Sequence, residues 1–310
     1  MDHAQVRAFA AGMLGEPVSD VEVLAGGSYN ESYRIKSGAS GWYVLRLAPA
    51  DHRQFSSERH LMRNEFLGRA FLPHLADLIP RIVAADFSHR ELDRDMMMTR
   101  WVTGTTGGNY LRTASPEQAR SLWRLMGQTL KQFHRIQGTT YGRLIEPWGA
   151  RWSEAVSTRL SKQINDLASI GAPHDDLARL QTAIAEQTKA LDDVPCRLTH
   201  GDLIPNNLVV AAMPDGEPRI VALLDIDRLM WADPWSDWSI ASTARSKSLP
   251  SQAFWEGYGQ PPDDSAASLR QSIYHALALV EARLERARRF QTERVDTLVG
   301  QSAHALAEIG

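Results

Sequence analysis

The chain has 310 residues, of which 43% are hydrophobic and 23% charged, and its formal net charge is −3. This is an ordinary globular composition, long enough for a large core or for two lobes, with no basic field for nucleic acid. The single cysteine, Cys196, excludes an intramolecular disulfide. No apolar run approaches the roughly 18 residues of a spanning helix, and the charged, amphipathic start is unlike a secretion signal. We therefore expect a cytoplasmic protein without a membrane or nucleic-acid partner.

The first hundred residues predict a small antiparallel sheet with one inserted helix. A short helix is expected over 3–14, with Gly15 as its stop. Residues 20–47 favour strands around the turn KSGASG. Helical spacing returns over 56–72, and PRIVAADF and DMMMTRWV then predict two more strands.

The rest of the chain predicts a mainly helical region beyond a Gly/Thr-rich hinge near 103–109. Ser115 is expected to cap a helix that begins at Pro116. Two more helices and then a β segment are expected over 150–171, 175–191 and 196–226. Further helices are predicted from there to the end of the chain.

One polar cluster precedes an apolar run in LTHGDLIPNNLVV, residues 198–210. It contains His200, Asp202 and Asn207, and it is either a polar turn that enters a strand or a functional site. The following segment, LVVAAMPDGEPRIVALLDID, predicts a strand, a turn and a strand. A hairpin of this size brings Asp225 back beside Asn207. Converging carboxylate and amide oxygens suit Mg²⁺, which favours the functional alternative.

These residues resemble a known family. HGDLIPNN resembles the HGDxxxxN motif of the aminoglycoside phosphotransferase and choline kinase-like family, and LLDIDRLMWADPWSDWSIA is similar to its second motif. The residues that match the spacing of the second motif are Asp225, Asp233, Pro234 and Asp237. The resemblance extends over nearly the whole chain and implies an α+β, bilobal protein-kinase-like fold. It implies a small antiparallel β-rich nucleotide-binding lobe, residues 1–102, and a larger, mainly helical catalytic and substrate-binding lobe, residues 103–310.

The resemblance also implies roles for the first motif. Asp202 would be the catalytic residue, which orients the acceptor hydroxyl and accepts its proton. Asn207 and Asp225 would hold Mg²⁺ on the phosphates of ATP, with GTP left open as the donor. His200 is expected to support the loop rather than carry a proton.

The nucleotide site is expected in the β-rich lobe. AGGSYNES, residues 25–32, corresponds to the phosphate-covering loop of the family, and MMMTRWVTG resembles the linker whose backbone binds adenine. Arg46 stands where the family carries a lysine, with Glu65 as its expected ion-pair partner and Glu58 as the competitor. The residues predicted to bind the nucleotide are Gly26, Gly27, Ser28, Tyr29, Asn30, Arg46, Glu65, Met97, Thr99 and Trp101.

The acceptor is expected to be a small molecule that carries a hydroxyl group. Only eleven residues separate Asp225 from Asp237, which leaves little room for a peptide platform. The family's substrates and the segment RLMWADPWSD favour an antibiotic of the aminoglycoside or macrolide type. A metabolite such as choline, homoserine or a sugar is the alternative, and a non-catalytic pseudokinase is the rival reading.

Four residues are candidates for contact with the acceptor. Asp233 either binds substrate or, with Asp237, fixes the following segment through backbone hydrogen bonds. Trp235 belongs to a tryptophan cluster that either contacts ligand or packs the lobe. Glu281 and Glu285, one helical turn apart, either face a polycation or pair with the surrounding arginines.

Overall fold

The computed structural model describes residues 1–24, 29–38, 41–214, 216–243, 248–259, 265–288 and 292–307. Within these ranges, no helix combines the length and the apolar character needed to cross a bilayer.

The β-rich lobe contains helices α1 (His3–Leu14) and α2 (Leu61–Gly68) and five strands. The strands are β1 (Val18–Val23), β2 (Glu31–Ser37), β3 (Gly41–Leu47), β4 (Ile82–Asp86) and β5 (Met96–Arg100). They form one antiparallel sheet in the order β1-β2-β3-β5-β4. The predicted sheet is thus confirmed, and helix α1 occupies the predicted residues because Asp2 closes a capping box with Gln5 and Gly15 ends the helix at φ 70°.

The helix predicted over 56–72 is wrong at its beginning. Ser56–Glu58 form a single 3-10 turn, and His60, at φ 61°, separates this turn from α2. The turn is held in place because Asp166 accepts hydrogen bonds from the backbone N–H groups of Ser56 and Ser57, at 2.7 and 2.9 Å. The contact between Ser56 and Asp166, which are 110 positions apart in the sequence, outweighs the local preference for a helix.

The remaining residues form a larger lobe that is mainly helical. Its helices are α3 (Gly107–Leu111), α4 (Pro116–Phe133), α5 (Trp152–Ser169), α6 (Leu177–Glu186), α7 (Thr188–Asp192), α8 (Trp238–Thr243), α9 (Leu249–Tyr258), α10 (Ser265–Arg288) and α11 (Thr292–Ala307). Its strands are β6 (Thr105–Thr106), β7 (Tyr141–Arg143), β8 (Pro147–Gly149), β9 (Arg197–Thr199), β10 (Leu208–Ala212), β11 (Pro218–Leu223) and β12 (Met230–Ala232). The fold is therefore bilobal, and the lobe boundary at 102/103 stays a prediction.

Two small sheets of the larger lobe position the polar loops. One sheet has the order β11-β10-β6 and the other the order β8-β7-β12-β9. The hairpin of β10 and β11 is confirmed, and the single helix predicted over 175–191 divides into α6 and α7 at Gln187. Strands β7, β8 and β12 were not predicted, since three residues are too few for a period-2 pattern.

Helices α4 and α9 cross at a pair of glycines, Gly127 and Gly257. A Cβ atom at Gly127 would lie inside van der Waals distance of the carbonyl oxygen of Phe254, and one at Gly257 would meet that of Arg124. The backbones of α4 and α9 are therefore closer together at these glycines than any side chain there would allow.

We expect Gly127→Ala to lower the free energy of unfolding by about 1–3 kcal/mol, because the added methyl forces the helices apart. The matched control is Gly12→Ala in α1, where a Cβ meets nothing within 4 Å and the higher helix propensity of alanine is stabilising. Urea unfolding of both variants measures the difference. Equal effects at the two positions would contradict close packing at the α4–α9 crossing.

Candidate active site

The loop between β9 and β10 carries Asp202 and Asn207. It ends in a 3-10 turn, Pro205–Asn207, that leads directly into β10. The Asn207 Nδ2 donates to the Asp202 carbonyl oxygen at 2.8 Å and to its Oδ2 at 3.0 Å. Asn207 thereby fixes the position of the Asp202 carboxylate and directs its own Oδ1 away from it.

Asp237 holds the backbone of the same loop through hydrogen bonds. Its Oδ2 accepts hydrogen bonds from the backbone N–H groups of His200, at 2.7 Å, and Gly201, at 3.3 Å. The His200 Nδ1 in turn accepts from the Asp202 N–H at 3.3 Å. Burial lowers the pKa of His200 to about 4, so the ring is neutral at pH 7 and acts as a scaffold, in agreement with the prediction.

We expect Asp237→Asn to lower kcat by about tenfold to a hundredfold while leaving nucleotide affinity unchanged. The substitution weakens the charge-assisted bonds that hold the loop, and a small displacement of a reacting group is costly in rate. Steady-state kinetics together with a nucleotide titration separates the two quantities. A loss of nucleotide affinity equal to the loss of kcat would show that Asp237 acts on more than the loop.

The β10–β11 hairpin returns Asp225 to the loop, as predicted. Leu208 pairs with Leu223, and the Leu224 N–H donates to the Asn207 carbonyl at 2.8 Å. Asp225 then adopts the left-handed conformation, at φ 51°. This sharp change in direction ends the strand beside Asn207.

Arg46 connects the small lobe to Asp225. Its Nη2 donates to Glu65 Oε2 at 2.5 Å, and its Nη1 to Asp225 Oδ1 at 3.2 Å. Burial acts to lower the pKa of Arg46, but the charges of Glu65 and Asp225 outweigh it and hold the pKa above its ordinary value. Glu65 is thus the partner of Arg46 as expected, and the competitor Glu58 pairs with other arginines.

The pKa of the Asp202 carboxyl group is higher than is usual for an aspartate. Burial raises its pKa to about 7, opposed by the charge of Arg228 and assisted by that of Glu281. A pKa near the working pH is the value expected of a general base.

Two oxygen donors at this site fit a divalent cation. The Asp225 carboxylate is about half exposed and uses Oδ1 for Arg46, and Asn207 uses only its Nδ2 in the loop. Among the residues that the structure describes, no cluster of three His, Cys, Asp or Glu side chains is arranged for a metal. This donor set suits Mg²⁺, which takes one or two protein oxygens and completes its shell with phosphate and water.

The other residues predicted to bind nucleotide are only partly brought to the site. Gly26, Gly27 and Ser28 lie outside the described residues. Tyr29 donates its hydroxyl to the Glu58 carbonyl at 2.9 Å, and within the described ranges the buried Asn30 Oδ1 has no hydrogen-bond partner.

The predicted adenine linker follows β5. Met97 is fully buried against Ala48 and Met62, and Thr99 is buried within the sheet. The Trp101 N–H donates to the Trp42 carbonyl at 3.0 Å. Since that donor is occupied, a purine would have to meet neighbouring main-chain groups.

Two of the predicted acceptor residues are committed to structural contacts. Asp233 is fully buried and accepts hydrogen bonds from Tyr274 at 2.6 Å, Arg270 at 3.1 Å and the Trp235 N–H at 3.0 Å. Trp235 is buried and stacks on Trp255, with ring centroids 5.9 Å apart. This geometry favours the structural alternative for both residues over contact with the acceptor.

Glu281 lies close to the loop, but it is paired. Its carboxylate bonds to Arg159 and Arg228, and the charge of Glu285 also acts on Arg228. Sequence reasoning missed Arg228, although its position three residues after Asp225 was a usable signal. It also missed Arg143, for which the sequence offers no signal because its neighbours are distant in the chain.

The comparisons with known proteins agree with this geometry. A model of the phosphotransferase enzyme family matches residues 20–270. The chain is similar to the apo form of a thermostable mutant of aminoglycoside phosphotransferase APH(4)-Ia, with 14% identity, coverage of 97% of this chain and 98% of that one, and a TM-score of 0.69. It is also similar to a candidate fructosamine-3-kinase from Thermobifida fusca YX-ER1, with 18% identity, coverage of 99% and 100%, and a TM-score of 0.64. No curated protein matches significantly.

The fold and the matched motifs define a small-molecule phosphotransferase of protein-kinase-like architecture. The chain belongs to the phosphotransferase enzyme family, whose model spans most of its length.

Proposed function

We propose that the enzyme transfers the γ-phosphoryl group of ATP to a hydroxyl group of a small molecule. The acceptor oxygen forms a bond to the γ-phosphorus as the bond to the bridging oxygen of ADP breaks. The hydroxyl proton passes to the Asp202 carboxylate. The observation that carries the proposal is the convergence of Asp202, Asn207 and Asp225 beside the Arg46–Glu65 pair.

The donor side of the reaction is assigned to residues of both lobes. We propose that Arg46 binds phosphate oxygens and that Glu65 keeps its guanidinium in position. Asn207 and Asp225 are the residues that would hold Mg²⁺, which would neutralise charge on the phosphates. Nucleotide binding is supported by a neighbour of 16% identity, a mutant of APH(4)-Ia described as a ternary complex with ADP and hygromycin B.

The acceptor class has two candidates. Antibiotic phosphorylation is supported by that neighbour's complex with hygromycin B, and metabolite phosphorylation by the candidate fructosamine-3-kinase. A pseudokinase is disfavoured because Asp202, Asn207 and Asp225 are all retained. The cytoplasmic location and the absence of membrane and nucleic-acid partners stay predictions.

The test is a coupled ADP-release assay with Mg·ATP and a panel of aminoglycosides, macrolides, choline, homoserine, sugars and sugar acids. The proposal expects ADP release that depends on one acceptor class and on Mg²⁺. Failure of the protein to bind Mg·AMP-PNP would contradict the kinase assignment. Binding of Mg·AMP-PNP with silence across a broad panel would support the pseudokinase.

A further inference from the structure

A small, charged cavity lies beside the loop that carries Asp202. Its volume is about 50 Å³, and its lining includes Gly201 of that loop. The charged and amide side chains in the lining are Glu58, Arg143, Arg159, Gln163, Arg228 and Glu281. Because the charges of Arg228 and Glu281 act on the pKa of Asp202, the cavity and the proposed catalytic residue share one electrostatic environment.

The two carboxylates of the cavity are already neutralised by arginines. Glu281 bonds to Arg159 and Arg228, and Glu58 bonds to Arg288 and lies 3.5 Å from Arg228. A cationic acceptor would therefore have to break these partly buried ion pairs to reach a carboxylate, which costs free energy.

Arg143 has no such neutralising partner. It is 7% exposed, and its guanidinium donates to two carbonyl oxygens, those of Arg59, at 3.1 Å, and Ser57. In the described part of the chain no carboxylate lies within ion-pair distance of it. Burial lowers its pKa to about 10, so it still carries a positive charge at pH 7. The charge of Glu281 acts on Arg143 only without a direct ion pair, and a buried cation without a directly bonded carboxylate attracts an anionic group.

Gln163 adds an unsatisfied polar group to the same cavity. The side chain is 2% exposed, and its Oε1 has no hydrogen-bond partner among the residues that the structure describes. A buried, unpaired amide oxygen is available to a hydroxyl group of a ligand.

We propose that this cavity selects an acceptor that carries an anionic group, such as a carboxylate or phosphate, next to its hydroxyl groups. Arg143 binds the anionic group, Arg159, which shares Glu281 with Arg228, adds positive charge beside it, and Gln163 binds a hydroxyl. The inference rests on the proposed function and narrows its acceptor to polyhydroxylated anions, in preference to polycationic aminoglycosides.

The test is a calorimetric titration of the full-length protein with three sugars of one skeleton, D-glucuronate, D-glucose and D-glucosamine. Titrations are run with and without saturating Mg·AMP-PNP, whose own binding is measured first. The variants are Arg143→Gln and Arg159→Gln, and the matched control is Arg151→Gln, an exposed arginine paired with Glu154 outside the cavity. Arg159→Gln covers the case in which Arg143→Gln fails to fold.

We expect glucuronate to bind at least about tenfold more tightly than glucosamine, and both cavity variants to weaken it by about tenfold or more. The control should leave this affinity unchanged. Tighter binding of glucosamine, no preference among the three sugars, or a glucuronate affinity that both cavity variants retain would overturn the inference. Failure of Mg·AMP-PNP to bind would instead contradict the proposed function, so the two outcomes are distinguishable.

Discussion

Asp202→Asn is expected to lower kcat by about 10²–10⁴-fold and to leave the affinity for Mg·AMP-PNP within a fewfold of wild type. Asparagine keeps the oxygen that accepts from Asn207 Nδ2 but cannot take the hydroxyl proton. Steady-state kinetics and a nucleotide titration measure the two effects. For the wild type, kcat/KM should fall as the pH drops through about 7, because protonation removes the base.

The same substitution has a stability readout that does not depend on activity. Burial raises the pKa of Asp202 from its ordinary value of 3.8 to about 7, so ionisation of Asp202 destabilises the folded protein progressively as the pH rises between these values. Because the Asp202 side chain is partly exposed, we expect Asp202→Asn to raise the free energy of unfolding at pH 8 by about 2 kcal/mol, roughly half of what the full shift corresponds to, and to give no such gain at low pH. Full turnover in this variant, or a loss of stability at pH 8, would contradict the assignment of Asp202 as the base.

Glu65→Gln is expected to lower the free energy of unfolding by about 3–5 kcal/mol and to weaken nucleotide binding. Glu65 is 3% exposed, and its two oxygens bond to Arg46, at 2.5 Å, and to Arg69, at 2.9 Å. Loss of its charge leaves two largely buried guanidinium groups without their shared counter-ion. Arg46 is then free to move toward Asp225, away from the position in which we propose that it binds phosphate.

The matched control for Glu65 is Glu22→Gln on strand β1 of the same lobe. Glu22 pairs with Arg34 at 3.3 Å, but its side chain is about half exposed, so the loss should stay under about 1 kcal/mol. Urea unfolding and an AMP-PNP titration of both variants give the comparison. A cost at Glu65 no larger than at Glu22 would show that the buried triad does not hold the small lobe together.

The features that the sequence predicted well depend on local chemistry. Asp2 and Ser115 begin helices α1 and α4 through capping boxes, and both signals lie within four residues of the helix start. The β10–β11 hairpin follows from its turn residues, and its register places Asp225 beside Asn207. The sequence therefore predicts that Asp225 approaches Asn207.

The features that the sequence did not predict depend on distant partners. The break at His60 follows from a contact with Asp166, and the pairing of Glu281 joins α10 to Arg159 and Arg228. A helical repeat of glutamates and arginines has the same sequence pattern whether its side chains pair within their own helix or with distant residues. The charge balance of the cavity, on which the proposed acceptor preference rests, arises only when five distant segments pack together.

The most direct test of the account is the mass of the acceptor after incubation with Mg·ATP. ADP release alone also arises from hydrolysis, whereas a product that has gained one phosphoryl group identifies transfer to a hydroxyl. We predict this product with the wild-type enzyme and its loss with Asp202→Asn. ADP and free phosphate in equal amounts, with every acceptor unchanged in mass, would contradict the phosphotransferase account.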